Sequence, residues 1–227
     1  MVIVIPFFLG VYYSFTNWSS SARAGNALRL VGLENYGRIL KDPAFAYSFI
    51  LTVIYTVLNM LVINVVAFAL ALLVTAKTRL RHAYRAGFFI PNLIGGLILG
   101  YIWQFIFNNA VPSLGTLLGF ASWADPANLV LARNTSALGA LIVAGTWQYA
   151  GYIMVIYVAA IETVPAELHE AAQIDGASPL RRLRVITIPM ASQAFTITLF
   201  LTLVQSFKQF DVNVSLTGGG PSTMFMG

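Results

Sequence analysis

Cysteine is absent from this sequence of 227 residues, and only 9% of the residues are charged. The absence of cysteine excludes disulfide bonds and thiolate metal sites within the chain. The scarcity of charge excludes an ordinary soluble domain, in which about a quarter of the residues are charged. Because 58% of the residues are hydrophobic, the composition instead favours a lipid bilayer, which a helix crosses with about 20 mostly apolar residues.

Signatures of catalysis and of cofactor binding are missing as well. No G-x-x-x-x-G-K-[ST] phosphate-binding loop occurs, and the glycine-rich stretch at 217–223 lacks the lysine of such a loop. His82 and His169 lie far apart in separate polar segments, so neither is expected to bind a metal. Serine, aspartate and histidine residues are too scattered to predict a catalytic triad. We therefore predict that the chain is not an enzyme and has no catalytic residue, no metal site and no bound cofactor.

Five apolar stretches are present, and they predict an all-α fold, a polytopic bundle of membrane helices. The last four are long enough to cross a bilayer as helices whose backbone hydrogen bonds are satisfied internally. The first holds 15 residues and is too short to cross alone. The stretches run from Met1 to Phe15, about Phe49 to Ala76, Ala86 to Phe107, Ala137 to Ile161 and Val185 to Phe207.

The basic residues predict the orientation of these stretches, because cytoplasmic loops of membrane proteins are rich in lysine and arginine. The segments KTRLRHAYR (77–85) and RRLR (181–184) are densely basic and are predicted to be cytoplasmic. The loop at 108–136 holds only Arg133 and is predicted to be external. Alternation also places 17–47 outside, although that segment carries four basic residues. The net charge of +5 is thus spread between apolar runs, which argues against nucleic acid as a partner.

One hydrophilic segment, at about 162–184, interrupts the second half of the chain with the sequence ELHEAAQIDGASPLRRL. Pro165 suits the first turn of a helix, and mostly good helix formers follow it. Gly176 fits a left-handed C-terminal cap, and Ser178 before Pro179 fits a new N-cap. The segment therefore predicts two helices joined by a glycine bend. From these residues alone, a docking element and a plain surface connection remain equally open.

The spacing within this segment resembles a known signature. Glu170-Ala171-Ala172, three residues, Gly176, nine residues and then Ile186-Thr187-Ile188-Pro189 resemble the EAA motif of ABC importer permeases, with isoleucine in place of its leucine. Other stretches resemble the carbohydrate-uptake branch of that family, of the maltose, lactose or glycerol-phosphate type. They are VGLENY (31–36), RAGFFIPNLI (85–94), IDGAS (174–178) and FDVNVSLTGGGP (210–221).

The resemblance implies a multi-pass permease subunit of a sugar importer in a bacterial or archaeal inner membrane. It implies a second permease subunit, giving a heterodimer, an extracytoplasmic solute-binding protein, and two ATPase subunits that hold ATP and Mg²⁺. The loop at 162–184 would then be the coupling helix that docks on an ATPase subunit. The residues that it implies for coupling are Glu167, Glu170, Ala171, Ala172, Asp175 and Gly176.

The polar residues inside the apolar stretches are neutral, which suits an uncharged substrate rich in hydroxyl groups. Aromatic rings can in addition stack on sugar rings. We therefore predict that the substrate pathway includes some of Asn59, Trp147, Gln148, Gln193 and Gln205. The alternative for the polar ones is hydrogen bonding between helices, which is common in membrane bundles.

Two other functions are less consistent with the sequence. An ion-coupled secondary transporter would need ionisable groups inside the membrane and internal repeats, and neither is visible. A membrane scaffold without transport would make the neutral polar residues structural only.

The ends of the sequence predict that 1–227 is one transmembrane permease domain truncated at both ends. The first apolar stretch is short, and in the resembling family a further span follows the external turn.

Overall fold

The computed structural model describes residues 2–18, 28–76, 81–120, 129–131 and 133–218. Within these ranges the chain is helical apart from turns, short connections and one isolated β-bridge between Thr16 and Leu30. The predicted all-α fold is therefore confirmed. Most of the predicted external turn at 217–223, and residues 77–80 of the basic segment, lie outside the described ranges.

The chain divides into two compact units, Met1–Ile50 and Leu51–Met226, so a single domain over 1–227 stays a prediction. The first unit contains two short helices and the start of a long third one. The described helices are α1 (Val4–Ser14), α2 (Glu34–Lys41), α3 (Pro43–Thr75), α4 (Arg81–Phe89), α5 (Gly96–Phe105), α6 (Val111–Leu118), α7 (Asn134–Glu162), α8 (Ala166–Ile174), α9 (Pro179–Arg182), α10 (Ile188–Met190), α11 (Ser192–Phe207) and α12 (Asp211–Thr217).

A single asparagine ties α1 to α2 within the first unit. The side-chain amide of Asn35 donates hydrogen bonds to the carbonyl oxygens of Ser14, at 2.9 Å, and Thr16, at 2.8 Å. The hydroxyl groups of Ser14 and Tyr36 also lie 2.7 Å apart. The asparagine and tyrosine of the VGLENY segment therefore hold the end of α1, where carbonyl groups lack partners inside the helix.

Two helices, α3 and α7, are long and apolar enough to cross a membrane unaided. Two further pairs pass the same test only together, because each pair is bent, by 99° for Arg81–Leu93 with Gly96–Leu118 and by 70° for Pro179–Met190 with Ser192–Phe207. By length and composition the described residues thus hold two candidate spans, or four if each bent pair is one span. The first apolar stretch forms only the short helix α1.

The third and fifth apolar stretches are each interrupted. Pro91 lacks a backbone donor and therefore predicted a kink in the third stretch, whereas the break in the fifth was not predicted. The third is interrupted where Pro91 lies in a 3-10 turn and Ile94 and Gly95 adopt extended backbone angles. The fifth is interrupted at Ala191, two residues after Pro189. Proline has no N–H to donate and crowds the preceding turn, so a helix that contains one bends readily.

Part of the predicted external loop at 108–136 is helical. A π-helical turn at Ile106–Ala110 continues directly into α6. Gly119 then ends α6 with a left-handed φ of 76°, and the N–H of Phe120 donates to the carbonyl oxygen of Gly115 at 2.8 Å. This glycine cap satisfies carbonyl groups that the helix end leaves free. The third apolar stretch was predicted to end at Phe107, and α6 ends eleven residues later, at Leu118.

The main core of the second unit lies where α3, α7 and α11 meet. Ile63, Ala67, Met154 and Tyr157 are fully buried there, together with Ala194 at 5% exposure. Small residues at such contacts allow membrane helices to approach closely. Many apolar side chains on the outer faces of the helices remain exposed, as expected of helices whose surroundings are lipid.

A chain of hydrogen bonds also crosses this core. The hydroxyl of Thr198 donates to that of Tyr157, which donates to Asn64 Oδ1, both at 2.7 Å. Asn64 Nδ2 donates to Thr202 Oγ1 at 2.8 Å. One turn away, Asn59 Nδ2 donates to the hydroxyl oxygen of Ser206 at 2.8 Å. The structure thus gives the buried asparagines of α3 partners on other helices, the alternative that the sequence left open.

We expect Tyr157→Phe to lower the free energy of unfolding by about 0.6 to 1.7 kcal/mol, the range measured for hydrogen bonds between membrane helices. The substitution removes a donor to Asn64 and an acceptor for Thr198 without changing the packed ring. Tyr101→Phe is a matched control, because Tyr101 is 62% exposed. Unfolding in mixed micelles with increasing denaturing detergent measures the difference. Equal stability of the two variants would contradict a stabilising role for the network.

Candidate functional site

The hydrophilic segment folds as a helix, a bend and a second helix. Helix α8 begins at Ala166, with Pro165 as its N-cap residue, one position later than the sequence predicted. At its end the N–H of Ala177 donates to the carbonyl oxygen of Ala172 at 2.8 Å, and the N–H of Gly176 donates to that of Gln173 at 3.0 Å. This pair of bonds is a Schellman cap, and it places Gly176 in the left-handed region with φ of 74°.

The second helix starts two residues after the bend. Ser178 is the N-cap of α9, and its hydroxyl oxygen accepts a hydrogen bond from the N–H of Arg181 at 3.3 Å. Pro179 occupies the first turn, where its missing N–H costs nothing. A π-helical turn at Leu183–Thr187 then connects α9 to α10. The predicted glycine bend and serine cap are both present.

The residues of the EAA resemblance form an exposed surface on α8 and the bend. Ala172 is half-buried, and the other five predicted coupling residues are exposed. Two apolar side chains that the sequence analysis did not single out lie beside them. Ile174 is 88% exposed and Leu168 is 43% exposed. In the sequence, Leu168 and Ile174 lie six residues apart with alanines between them. This pattern could have indicated an apolar strip on the helix.

Ion pairing fixes the helix that leads into this segment. Arg85 of α4 forms an ion pair with Glu162, the last residue of α7. The hydroxyl of Thr163 also donates to the carbonyl oxygen of Ala160 at 2.7 Å. The end of α7 is therefore held to α4 immediately before the chain enters α8.

A polar pocket of about 310 Å³ lies between α7, α11 and α12. It is lined by Gln148 and Gln205, two of the predicted pathway residues. Gln148 is 4% exposed, and its Nε2 donates to the carbonyl oxygen of Ile94 at 3.2 Å. Its Oε1 is buried and has no hydrogen-bond partner among the described residues. This oxygen is enclosed beside the pocket, so a hydroxyl group of a bound solute reaches it only after the amide turns.

Close packing of α12 against α5 shapes one wall of this pocket. A methyl group added at Gly100 would overlap the side chain of Ser215, and one added at Gly96 would lie 2.9 Å from Cβ of Asp211. The hydroxyl of Ser215 donates to the carbonyl oxygen of Asp211 at 2.7 Å. Because these glycines admit α12, the residues between α11 and α12 reach the pocket.

The other predicted pathway residues lie outside this pocket. Asn59 is 1% exposed within the helix contacts. Trp147 is 42% exposed and stands edge-on to Trp103, with ring centroids 5.8 Å apart, on an apolar surface. Gln193 is exposed near the start of α11, roughly 18 Å along the helix axis from Gln205 at 1.5 Å per residue. Their roles in the pathway stay predictions.

Three polar pocket residues were not candidates for the pathway in the sequence analysis. They are Lys208, Gln209 and Asp211. Tyr149, an aromatic residue of the kind expected to stack on sugar rings, also lines the pocket. Lys208 and Asp211 follow the fifth apolar stretch directly, where residues at the membrane surface are usual. The signal that was available is the sequence LVQSFKQFD, in which polar residues recur after the apolar run. What the sequence did not indicate is the chain reversal between α11 and α12.

Comparison with known proteins gives consistent results over nearly the whole chain. A family model for the inner membrane component of binding-protein-dependent transport systems matches residues 30–227. The probable starch degradation products transport system permease protein AmyD of Thermoanaerobacterium thermosulfurigenes is 42% identical, over 97% of this chain and 73% of that protein. The sn-glycerol-3-phosphate transport system permease protein UgpA of Brucella abortus is 32% identical, over 98% of this chain and 76% of that protein.

A solved structure shares the fold at low sequence identity. It is a chain of a bacterial ABC transporter involved in the import of the acidic polysaccharide alginate, with a TM-score of 0.78 and 19% identity. The match covers 98% of this chain and 74% of that one. Family model, sequence relatives and shared fold agree, and the chain belongs to the family of binding-protein-dependent transport system inner membrane components.

Proposed function

We propose that the chain is a transmembrane permease subunit of an ABC importer for sugars or sugar-like solutes. The observation that carries the proposal is a polar pocket inside a helical bundle that also presents an exposed EAA segment. The pocket is lined by the amides of Gln148, Gln205 and Gln209 and, at one end, by Lys208 and Asp211. The relatives support the substrate class, since their names specify starch degradation products, multiple sugars, and trehalose and maltose.

The chemistry of the pocket suits a neutral polyhydroxyl compound. A glutamine amide offers two N–H donors and one oxygen acceptor, and hydroxyl groups of a sugar both donate and accept. Gln148 has its oxygen unpaired, and Tyr149 lines the same space with a ring on which a sugar is able to stack. Binding sites of this kind combine an apolar lining with a few placed polar groups.

The chain sequence links this pocket to the coupling segment through two helices. The segment follows α7, which carries Gln148, and precedes α9, α10 and α11, the last of which carries Gln205. Gln148 lies roughly 21 Å along α7 from Glu162, at 1.5 Å per residue. A displacement of α8 therefore moves the ends of both helices that line the pocket. The two helices then move as rigid bodies, and this motion opens and closes the pocket.

A transport mechanism driven by motion of α8 requires partner proteins. Energy for the motion comes from separate ATPase subunits that bind ATP and Mg²⁺, since the sequence lacks a phosphate-binding loop. The surface that docks on an ATPase subunit is exposed and combines acidic with apolar side chains. It consists of Glu167, Glu170 and Asp175 with Leu168 and Ile174. A second permease subunit completes the pathway, and an extracytoplasmic binding protein delivers the solute.

An ion-driven transporter is the competing function. Its mechanism requires ionisable groups at membrane depth. Helices α3 and α11 contain no acidic or basic residue, and α7 contains only Glu162 at its end. The two charged residues of the pocket, Lys208 and Asp211, lie just beyond the end of α11. A non-transport scaffold does not need the unpaired acceptor of Gln148. Uptake that depends on ATP and not on an ion gradient therefore separates the three functions.

We expect Gln148→Leu and Gln205→Leu each to raise the sugar concentration for half-maximal uptake about tenfold, because each removes a hydrogen bond worth about 1.4 kcal/mol to the bound solute. Sugar uptake is measured with the assembled transporter in liposomes. ATP is supplied inside or outside the liposomes, and no ion gradient is applied. Thr196→Val is the matched control, since Thr196 is exposed on α11 outside the pocket. Equal losses in all three variants would show that recognition is not localised to the pocket. Wild-type uptake driven by an ion gradient alone would overturn the importer.

A further inference from the structure

An apolar groove of about 780 Å³ lies between α3, α4 and α7, apart from the polar pocket. Val62, Val66 and Leu70 line it from α3, Tyr84 and Phe88 from α4, and Trp147 from α7. The three residues of α3 recur every fourth position, so the groove extends roughly 12 Å along that helix at 1.5 Å per residue. Its volume falls within the roughly 300–1,000 Å³ that is usual for ligand sites.

A basic residue lies one helical turn before the groove residue Tyr84. Arg81 precedes Tyr84 by one turn on the same face of α4, because residues three apart are neighbours on a helix. Arg81 is exposed, and Nε donates to His82 Nε2 at 3.3 Å. The remaining guanidinium N–H groups have no acceptor in the part of the chain that the structure describes. The segment at 77–85 contains four lysine and arginine residues and no acidic residue.

We propose that this groove binds an anionic phospholipid, with an acyl chain along Val62, Val66 and Leu70 and the phosphate against Arg81. The charge distribution selects this occupant. An apolar cleft with unpaired positive charge one helical turn away matches a molecule with an apolar tail and a negative head, and basic pockets between membrane helices are known to bind such headgroups. Arginine is suited to the role, since its stem covers apolar surface while its head stays at the interface.

Space beside α4 supports the same assignment. A methyl group added at Gly87, which lines the groove, meets no atom within 4 Å. The side chain of Tyr84 is 47% exposed, and tyrosine is enriched at the level of lipid headgroups. Arg85, in contrast, is already paired with Glu162, so Arg81 is the described arginine of α4 that is free to contact a phosphate.

Tryptophan fluorescence tests the proposal, because Trp147 and Trp103 both line the groove. The purified protein is reconstituted in phosphatidylcholine that contains a few per cent of phosphatidylglycerol with brominated acyl chains. We expect saturable quenching that is at least threefold greater than with brominated phosphatidylcholine at the same fraction. Trp147→Phe assigns the quenched signal to the groove, since four tryptophans are present.

Two variants and one control complete the test. Arg81→Gln is expected to reduce quenching by brominated phosphatidylglycerol to the level of phosphatidylcholine, and Gly87→Leu to reduce quenching by both lipids. Arg184→Gln, which removes an exposed arginine outside the groove, is expected to change neither. Equal quenching by the two lipids in the unmodified protein would overturn an anionic site. Absence of quenching by either lipid would show that no acyl chain occupies the groove and would also overturn the proposal.

Discussion

Replacing Gly151 with alanine is expected to destabilise the second unit by about 1–3 kcal/mol, the usual penalty of overpacking. Gly151 is buried in α7, and a methyl group there would overlap the backbone carbonyl of Phe88. Because the obstacle is backbone and not a flexible side chain, relief requires α4 to move away from α7. That movement would also strain the ion pair between Arg85 and Glu162.

The same helix supplies a matched control. Gly139 is exposed in α7, and a methyl group added there meets no atom within 4 Å. Gly139→Ala is therefore expected to be neutral or to stabilise by up to about 1 kcal/mol, since alanine is the better helix former. Thermal unfolding and the yield of monodisperse protein in detergent measure both variants. If Gly151→Ala matches Gly139→Ala, the close approach of α4 and α7 is incorrect.

Substitution of Gly176 by valine is expected to uncouple transport from ATP hydrolysis while leaving the bundle intact. The φ of 74° at Gly176 is strained for any residue with a branched side chain, at a cost of about 1–3 kcal/mol. No atom lies within 4 Å of an added methyl group there, so the effect is one of backbone conformation and not of collision. The Schellman cap is lost, and the end of α8 with Asp175 is displaced.

The measurement is substrate-stimulated ATPase activity of the assembled transporter, which we expect to fall at least tenfold. Gly176→Asn is the conservative control, because asparagine tolerates the left-handed region better than other residues with side chains. It is expected to retain most of the stimulation. Normal membrane insertion of Gly176→Val must accompany the loss. Full stimulation in that variant would remove the bend from the proposed coupling mechanism.

Local backbone chemistry explains why parts of the candidate site could be predicted from the sequence. The bend at Gly176, the cap at Ser178 and the start of α8 near Pro165 depend on residues within one or two turns. Glycine, serine and proline each act there through their own conformational limits. The family resemblance rested in part on the same segment, and the family is confirmed by the match over residues 30–227.

The faces of the helices could not be predicted in the same way. A helix in lipid is apolar on both its buried and its exposed sides, so periodicity does not reveal which side packs. Trp147 and Gln148 are adjacent in sequence, yet one lines the apolar groove and the other lines the polar pocket. Residues next to each other on a helix point about 100° apart, and only the neighbouring helices decide which direction leads to which cavity.

The sequence by itself determined that the chain is helical, apolar enough for a bilayer, and equipped with an exposed helix–bend–helix segment. Those properties follow from composition and from interactions between residues close in the chain. The tertiary structure alone decided how far the third and fifth stretches bend, that Gln148 and Gln205 line one pocket, and that α12 returns against α5. These features depend on contacts between residues far apart in sequence, such as Gly100 with Ser215, whose partners no local pattern specifies.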